Sequence, residues 1–150
     1  MTPALDWEYV ADTVMGGVST GRVSAETIAG RPAHRLTGTV SLDDGGGFIQ
    51  MASDLTRNGG FSRIEIDVIG NNEGYDLRLR TTDLTRPWQS YRTSFRAPPV
   101  WTTLRFDAAD FVAHRTDRPF DPAALRRIGI VAVGRAFAVD VAVAEVRLYD

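Results

Sequence analysis

The chain has 150 residues, a formal net charge of −2 and no cysteine, so disulfide frameworks, thiol catalysis and thiolate metal sites are excluded. Its 17 basic residues are all arginine, and no segment has the roughly 20 apolar residues of a membrane helix, so lysine chemistry and membrane insertion are excluded as well. The near-neutral charge argues against nucleic-acid binding. No basic, apolar leader stands at the N-terminus, and we therefore expect a cytoplasmic protein.

Apolar and polar residues alternate with a period of two throughout the chain, and no long helical period interrupts them. A first pair of strands is predicted at 22–28 and 34–42, around a turn at 30–32. A third strand begins at Phe48. Further alternating segments are 63–68, 76–80 and 91–96, and the Gly-, Asn-, Asp- and Pro-rich clusters at 70–74 and 83–87 are predicted turns.

The second half continues the same pattern. A strand is predicted at 100–106, and the sequence Asp121-Pro122 predicts a single helical turn with an acidic N-cap. The segment 128–133 is apolar at every position but Gly129, which is typical of a central strand. In the last strand the apolar positions change parity, which predicts a β-bulge near Ala144. Eight or more short strands predict an all-β fold, a single-domain antiparallel β-sandwich of jelly-roll type over residues 1–150.

The segment DTVMGGVSTG, residues 12–21, is the first candidate site. The N–H groups from Met15 to Val18 can form an anion-binding nest beside Asp12 and Ser19. The structural alternative is that the two glycines let the chain cross between sheets, Asp12 caps the turn and Met15 packs inward. No lysine and no helical pattern follow, so a nucleotide phosphate loop is rejected.

A second candidate is a polar sheet face formed by alternate residues of three predicted strands. As neighbours, these residues form either a solvated face with modest ion pairs or a groove whose arginine forks bind carboxylates, phosphates or an acidic partner. The residues of this predicted face are Glu65, Asp67, Arg78, Arg80, Arg92 and Arg96.

Aromatic residues supply candidate platforms for stacking a sugar ring, namely Tyr75, Trp88, Tyr91 and Trp101. Trp101 lies in a predicted strand, and we expect it in the core. Trp88 follows Pro87 in a predicted turn, and a large aromatic residue on a loop is the better platform.

Catalysis and metal binding have the weakest support. Ser19, Asp12 and either His34 or His114 are the residue types of a hydrolase triad, but no nucleophile-elbow sequence surrounds any serine. Oxygen ligands that Ca²⁺ prefers occur in turns at Asp43, Asp44 and Glu73. We predict no catalytic residue, no metal site and no cofactor.

Several segments together resemble one known family over nearly the whole chain. They are Trp7, residues 12–21, residues 38–41, Gly46-Gly47-Phe48, YDLRLRT from Tyr75, YRTSF from Tyr91, WTTLRFDAADF at 101–111 and LRRIGIVAV at 125–133. With these the chain resembles the complex I intermediate-associated protein 30 family. The resemblance implies a galactose-binding-domain-like β-sandwich, and its eukaryotic members are assembly factors for respiratory complex I rather than known catalysts. The turn at 71–74 and the loop at 112–120 depart from the family pattern.

We therefore expect a non-enzymatic binding or assembly-type domain that recognises a protein partner or a small ligand through the Met-Gly-Gly loop at 12–21 and the polar sheet face. One alternative is a carbohydrate-binding module, and another is a small hydrolase or isomerase with a histidine beside Ser19. The candidate ligand-binding residues are Asp12, Met15, Gly16, Gly17, Ser19, Arg78, Arg80, Trp88 and Arg92.

Overall fold

Two antiparallel β-sheets face each other in the computed structural model, which describes residues 3–55 and 60–150. In chain order the strands are β1 Glu8–Ala11, β2 Thr20–Ile28, β3 Arg31–Val40, β4 Phe48–Asp54, β5 Arg63–Gly70, β6 Gly74–Thr81, β7 Ser90–Arg96, β8 Thr102–Asp107, β9 Val112–His114, β10 Leu125–Val133 and β11 Phe137–Tyr149. Sheet A has six strands in the order β1-β4-β10-β6-β7-β9, and sheet B has five in the order β2-β3-β11-β5-β8. Short 3-10 helices are Asp12–Met15, Asp43–Gly45, Ala108–Asp110 and Pro122–Ala124.

The core lies between the sheets because one side of each strand is apolar. Ile64 and Ile66 of sheet B and Leu77, Leu79 and Ile130 of sheet A are completely buried. Side chains at the intervening positions therefore project from the outer faces of the sandwich. This alternation confirms the all-β sandwich predicted from the sequence.

Several local predictions are also confirmed. Strand β10 lies between β4 and β6, so the segment that is apolar on both sides is a central strand. The register of β11 against β5 shifts between Val143 and Val146, which is the predicted bulge. The Asp121 carboxylate accepts a hydrogen bond of 3.0 Å from the N–H of Ala123 and caps the short helix. The first turn differs slightly, because Arg31 already belongs to β3 and the turn residues with positive φ are Ala29 and Gly30.

The predicted single polar face is wrong, because β5 belongs to sheet B whereas β6 and β7 belong to sheet A. The segments 70–73 and 97–98 run side by side where the chain crosses between the sheets. Asn72 donates its N–H to the carbonyl of Ala97, and Ala97 donates to the carbonyl of Glu73. Glu65 and Asp67 are thus on one outer face of the sandwich, and the arginines of β6 and β7 are on the other.

No helix among the described residues is long and apolar enough to cross a membrane.

Candidate functional site

A groove crosses the outer face of sheet A and encloses a cavity of about 180 Å³. Its floor contains the small residues Ala52 on β4 and Gly129 on β10. Arg78, Arg80 and Arg127 border it, and Trp88 lies at its rim. The groove therefore combines an exposed aromatic ring with several guanidinium groups.

Strand register explains why the groove is at this place. Gly129 of β10 lies opposite Ala52 of β4 on one side and opposite Arg78 of β6 on the other. Two small outward-facing residues side by side leave a depression, and the long arginine side chain beside them forms its wall. In the adjacent row Arg127 lies opposite Arg80.

Two of the bordering arginines have carboxylate partners. Arg127 donates to Asp54 at 2.8 Å and to Glu8, and these bonds raise its pKa although burial alone would lower it. Arg78 forms an ion pair of 2.9 Å with Asp76. The same carboxylate lies 3.9 Å from Arg92, another arginine of the predicted face, so Asp76 pairs with two arginines.

Arg80 differs from its neighbours because, among the described residues, it binds only backbone carbonyls. Its Nε donates to the carbonyl of Gln89 at 3.1 Å, and its Nη2 donates to that of Arg86 at 2.8 Å. Burial and then the charges of Arg126 and Arg127 lower its pKa. Farther across the sheet, burial and then the charges of Arg92 and Arg78 lower the pKa of His114. The outer face of sheet A therefore has an excess of positive charge.

Trp88 projects from the turn between β6 and β7, and 56% of its surface is exposed. The turn is held in place from two sides. The Gln89 side-chain carbonyl accepts hydrogen bonds from the N–H groups of Thr85 and Arg86 at 3.2 and 3.1 Å, and Arg80 binds the carbonyls of Arg86 and Gln89. The ring is therefore presented to solvent from an ordered turn, as a stacking platform requires.

The other candidate platforms are unsuited to that role. Tyr75 and Tyr91 are buried, and their hydroxyl groups bind Asn71 and the carbonyl of Arg118, respectively. Trp101, expected in the core, is only half-buried. Its Nε1 donates to the carbonyl of Ile28 at 2.9 Å, and the Arg31 guanidinium lies 5.1 Å from its ring.

The MGG loop, defined as residues 12–19, is organised around the buried carboxylate of Asp12. This carboxylate accepts hydrogen bonds from the backbone N–H groups of Ser19, Gly47 and Phe48 and from the Ser19 hydroxyl. Burial alone would raise the pKa of Asp12, but these bonds outweigh it and lower the pKa. The loop that contains Gly47 is thereby joined to the MGG loop.

The two glycines have distinct reasons to be glycine. Gly16 has a φ of 85°, a conformation that other residues rarely adopt. A Cβ on Gly17 would lie 2.5 Å from the Asp12 side chain. Both N–H groups already donate within the loop, to the carbonyls of Thr13 and Asp12. The predicted anion nest thus lacks two of its four donors, and the structural interpretation of the glycines fits better.

Met15 does not pack inward as expected. It is 63% exposed, with Val14 at 74% and Val18 at 47% beside it in the MGG loop, and Leu42 on the joined loop is 51% exposed. Val14 and Met15 lie on the short helix Asp12–Met15, in which Asp12 is the buried residue and the other side chains face solvent. The result is an apolar patch at one end of the sandwich.

The described residues form no hydrolase triad around Ser19. Its hydroxyl is buried between Asp12 and Ser41, with neither histidine as a partner. His34 is on β3 in sheet B, and His114 is on edge strand β9 of sheet A.

The calcium hypothesis receives no support from the described part of the chain either. Glu73 forms an ion pair with Arg135 instead of joining Asp43 and Asp44. No three potential metal ligands come together among the residues that the structure describes.

Glu65 and Asp67, on the outer face of sheet B, are bound by arginines of their own sheet. Arg147 donates to both carboxylate oxygens of Asp67, at 2.9 and 2.7 Å, and Arg31 adds a bond of 2.9 Å. Glu65 accepts from Arg105 and Arg147. This half of the predicted polar face is an internally paired network.

Sequence reasoning found Arg78, Arg80 and Trp88 but missed Ala52, Arg127 and Gly129. The only signal for the small residues was an alanine and a glycine at outward positions of two strands, and a strand pattern does not reveal that these two become neighbours.

Comparison with solved structures places the fold among carbohydrate-binding modules. A family 11 module from Clostridium thermocellum, in complex with a β-1,3-1,4-mixed-linked tetrasaccharide, matches with a TM-score of 0.77 at 12% identity, over 97% of this chain and 89% of that chain. The family 11 module of the cellulosomal cellulase Lic26A-Cel5E from the same organism has a TM-score of 0.78 at 11% identity, covering 97% and 88%. A family 30 carbohydrate-binding module has a TM-score of 0.62 at 17% identity, covering 99% and 85%. At these identities the similarity establishes a shared jelly-roll sandwich.

Sequence comparison identifies the family. No curated protein matches the chain significantly. The family model described as complex I intermediate-associated protein 30 (CIA30) matches residues 2–141 of the 150. Because the match spans nearly the whole sequence, the protein belongs to the complex I intermediate-associated protein 30 family.

Proposed function

We propose that this protein is a non-catalytic binding domain that holds an oligosaccharide in the groove of sheet A. The observation that carries the proposal is the exposed ring of Trp88 beside a groove with a small-residue floor. Sugar rings have apolar C–H faces that suit an exposed aromatic ring, and hydroxyl groups that suit guanidinium donors. The solved family 11 module supports the proposal, since it shares this fold and was solved with a tetrasaccharide.

Calorimetric titration of the purified protein with a panel of oligosaccharides tests this proposal. We expect binding with at least one oligosaccharide class and a loss of about tenfold or more in affinity for Trp88→Ala. Val100→Ala is the control, because Val100 is 63% exposed but precedes a strand of the other sheet. Absence of binding across the panel at millimolar concentrations would refute the proposal, as would equal effects of the two substitutions.

A second candidate function is protein binding in the assembly of a respiratory complex. It is favoured by the apolar patch of Val14, Met15, Val18 and Leu42, on two loops that a hydrogen bond to Asp12 joins, and by the family name. Exposed apolar patches on ordered loops are typical of protein interfaces.

The test for this candidate is quantitative purification of the tagged chain from its native cells. Complex I subunits should be enriched with the wild type and lost with Met15→Asp, whereas Val100→Asp should retain them. Enrichment that is equal for the two variants, or absent for the wild type, would eliminate the patch as the assembly surface.

A further inference from the structure

The groove of sheet A is lined by positively charged arginines, with which a neutral sugar would form no ion pair. Three arginines and no acidic residue are among the described residues that line it. Arg127 is paired with Glu8 and Asp54, and Arg78 is paired with Asp76. Arg80 has no acidic partner among the described residues and lies next to the charges of Arg126 and Arg127. An anionic ligand would therefore relieve repulsion that is present in the free protein.

Arg80 also has donors to spare. A guanidinium has five N–H groups in a planar fork. The bonds to Gln89 and Arg86 use Nε and Nη2, while Nη1 donates to no described residue. These two bonds fix the plane of the guanidinium, so its remaining donors are oriented before a ligand arrives. A carboxylate matches such a fork.

The position of Trp88 restricts the class of anionic ligand that suits the groove. The ring stands on the turn whose carbonyls Arg80 binds, so the aromatic side chain and the unpaired charge belong to one structural unit. The Arg86 guanidinium lies 6.0 Å from the centroid of the same ring. A ligand that uses both needs an apolar ring face and an anionic group on the same residue. An extended acidic peptide suits the groove less, because the floor strands β4 and β10 are inside the sheet and have their backbone groups paired.

We propose that the groove selects a uronic acid residue of a glycan, with Trp88 stacking on its ring and Arg80 binding its carboxylate as the specificity-determining residue. This inference rests on the proposed oligosaccharide function and adds the chemical class of the sugar. It also assigns two roles to Arg80, one toward the ligand and one in holding the Trp88 turn.

The test uses oligosaccharides in matched pairs, in which a uronate oligomer is compared with its methyl ester on the same backbone. Galacturonate, glucuronate, mannuronate and guluronate oligomers are titrated by calorimetry, with a sulfated neutral oligomer as a further arm. We expect the acid to bind about tenfold or more tightly than its ester, since a charge-assisted hydrogen bond is lost on esterification. The preference should shrink as salt is raised.

Arg80→Gln should weaken binding of the acid more than binding of the ester, because the ester loses only the support of the Trp88 turn, whereas the acid also loses its charged partner. Arg22→Gln is the matched control, because Arg22 is exposed on β2 in sheet B. Equal binding of acid and ester by the wild type would overturn the inference and leave the proposed function standing. Absence of binding to any oligomer, neutral or acidic, would overturn both.

Two further outcomes would also contradict the assignment. If the sulfated oligomer bound more strongly than every uronate, the group that the groove selects would be a sulfate ester and not a carboxylate. Equal losses of acid and ester binding in Arg80→Gln would mean that Arg80 acts only by holding the Trp88 turn. The comparison of acid with ester in the wild type needs no variant, so it remains informative if Arg80→Gln fails to fold.

Discussion

The two outer faces of the sandwich use the same residue types in opposite ways. On sheet B, buried Asp67 and Glu65 take up the donors of Arg31, Arg105 and Arg147. On sheet A, acids pair with Arg78 and Arg127, but Arg80, next to the groove, has only carbonyl partners among the described residues. Outward arginines thus stabilise the fold where an acid is buried beside them. Arg80 lies beside the groove instead, and its Nη1 donates to no described residue, so it is available to a ligand.

The largest effect is expected from removing a charge on sheet B. Asp67→Asn should lower the free energy of unfolding by about 3 kcal/mol, because Arg147 and Arg31 lose their buried charged partner and keep the more exposed Glu145, with Arg147 also keeping Glu65. Chemical denaturation measures this change. Asp140→Asn, which breaks the more exposed ion pair with Arg35 on the same sheet, should cost about 1 kcal/mol or less. Similar losses of unfolding free energy for Asp67→Asn and Asp140→Asn would contradict the larger contribution assigned to the buried carboxylate.

The pH dependence of the free energy of unfolding gives a second test of the Asp67 ion pairs on sheet B. Arg147 holds the pKa of Asp67 well below its ordinary value of 3.8. The stabilisation by this group is therefore complete above pH about 4 and is lost as the pH falls further, because the unfolded chain binds the proton first. Denaturation measured from neutral pH into the acid range should show the gap between wild type and Asp67→Asn closing. A constant gap would contradict the pairing.

A third variant fills the groove without changing any charge. Gly129→Leu places a side chain over the floor, where its Cβ would lie 3.0 Å from the flexible Gln50 side chain and in ordinary contact, at 3.8 Å, with Ala52 Cβ and the Met51 carbonyl. Oligosaccharide affinity should fall about tenfold or more, while the free energy of unfolding changes by about 1 kcal/mol or less. Calorimetry and denaturation on one preparation test both expectations. Unchanged affinity would mean that the ligand does not occupy the groove.

The smallest effect is expected at the MGG loop. Met15→Ser should change the free energy of unfolding by about 0.5 kcal/mol or less, because the side chain is exposed, and should leave groove binding unchanged. Thermal unfolding and calorimetry measure the two quantities. A large loss of stability would show that Met15 packs inward in solution, as the sequence first suggested.

Local features were predictable because neighbouring residues determine them. The alternation of apolar and polar residues predicted the strands around Ile64, Leu77 and Phe95. The change of parity predicted the bulge near Ala144, and Asp121 before a proline predicted the short helical turn. The position of Trp88 in a turn after Pro87 was enough to predict that its ring is exposed.

Relations between distant segments were not predictable from the pattern. A period of two is the same for β5 and β6, so it could not reveal that Glu65 and Arg78 lie on opposite faces. The groove depends on Gly129 lying between Ala52 and Arg78, which is set by strand order. Asp12 was predicted to cap its own turn, but two of its four hydrogen bonds come from Gly47 and Phe48 on another loop.

The proposed binding of a glycan carboxylate to the outer face of sheet A can be tested at the level of single residues. The most direct measurement is nuclear magnetic resonance of the isotope-labelled chain titrated with a uronate oligomer and with its methyl ester. We predict that the acid shifts the amide signals of Ala52 and Gly129, the indole signal of Trp88 and the guanidinium signal of Arg80, and that the ester shifts them less. Shifts confined to sheet B or to the MGG loop, or no shifts with either oligomer, would contradict this account.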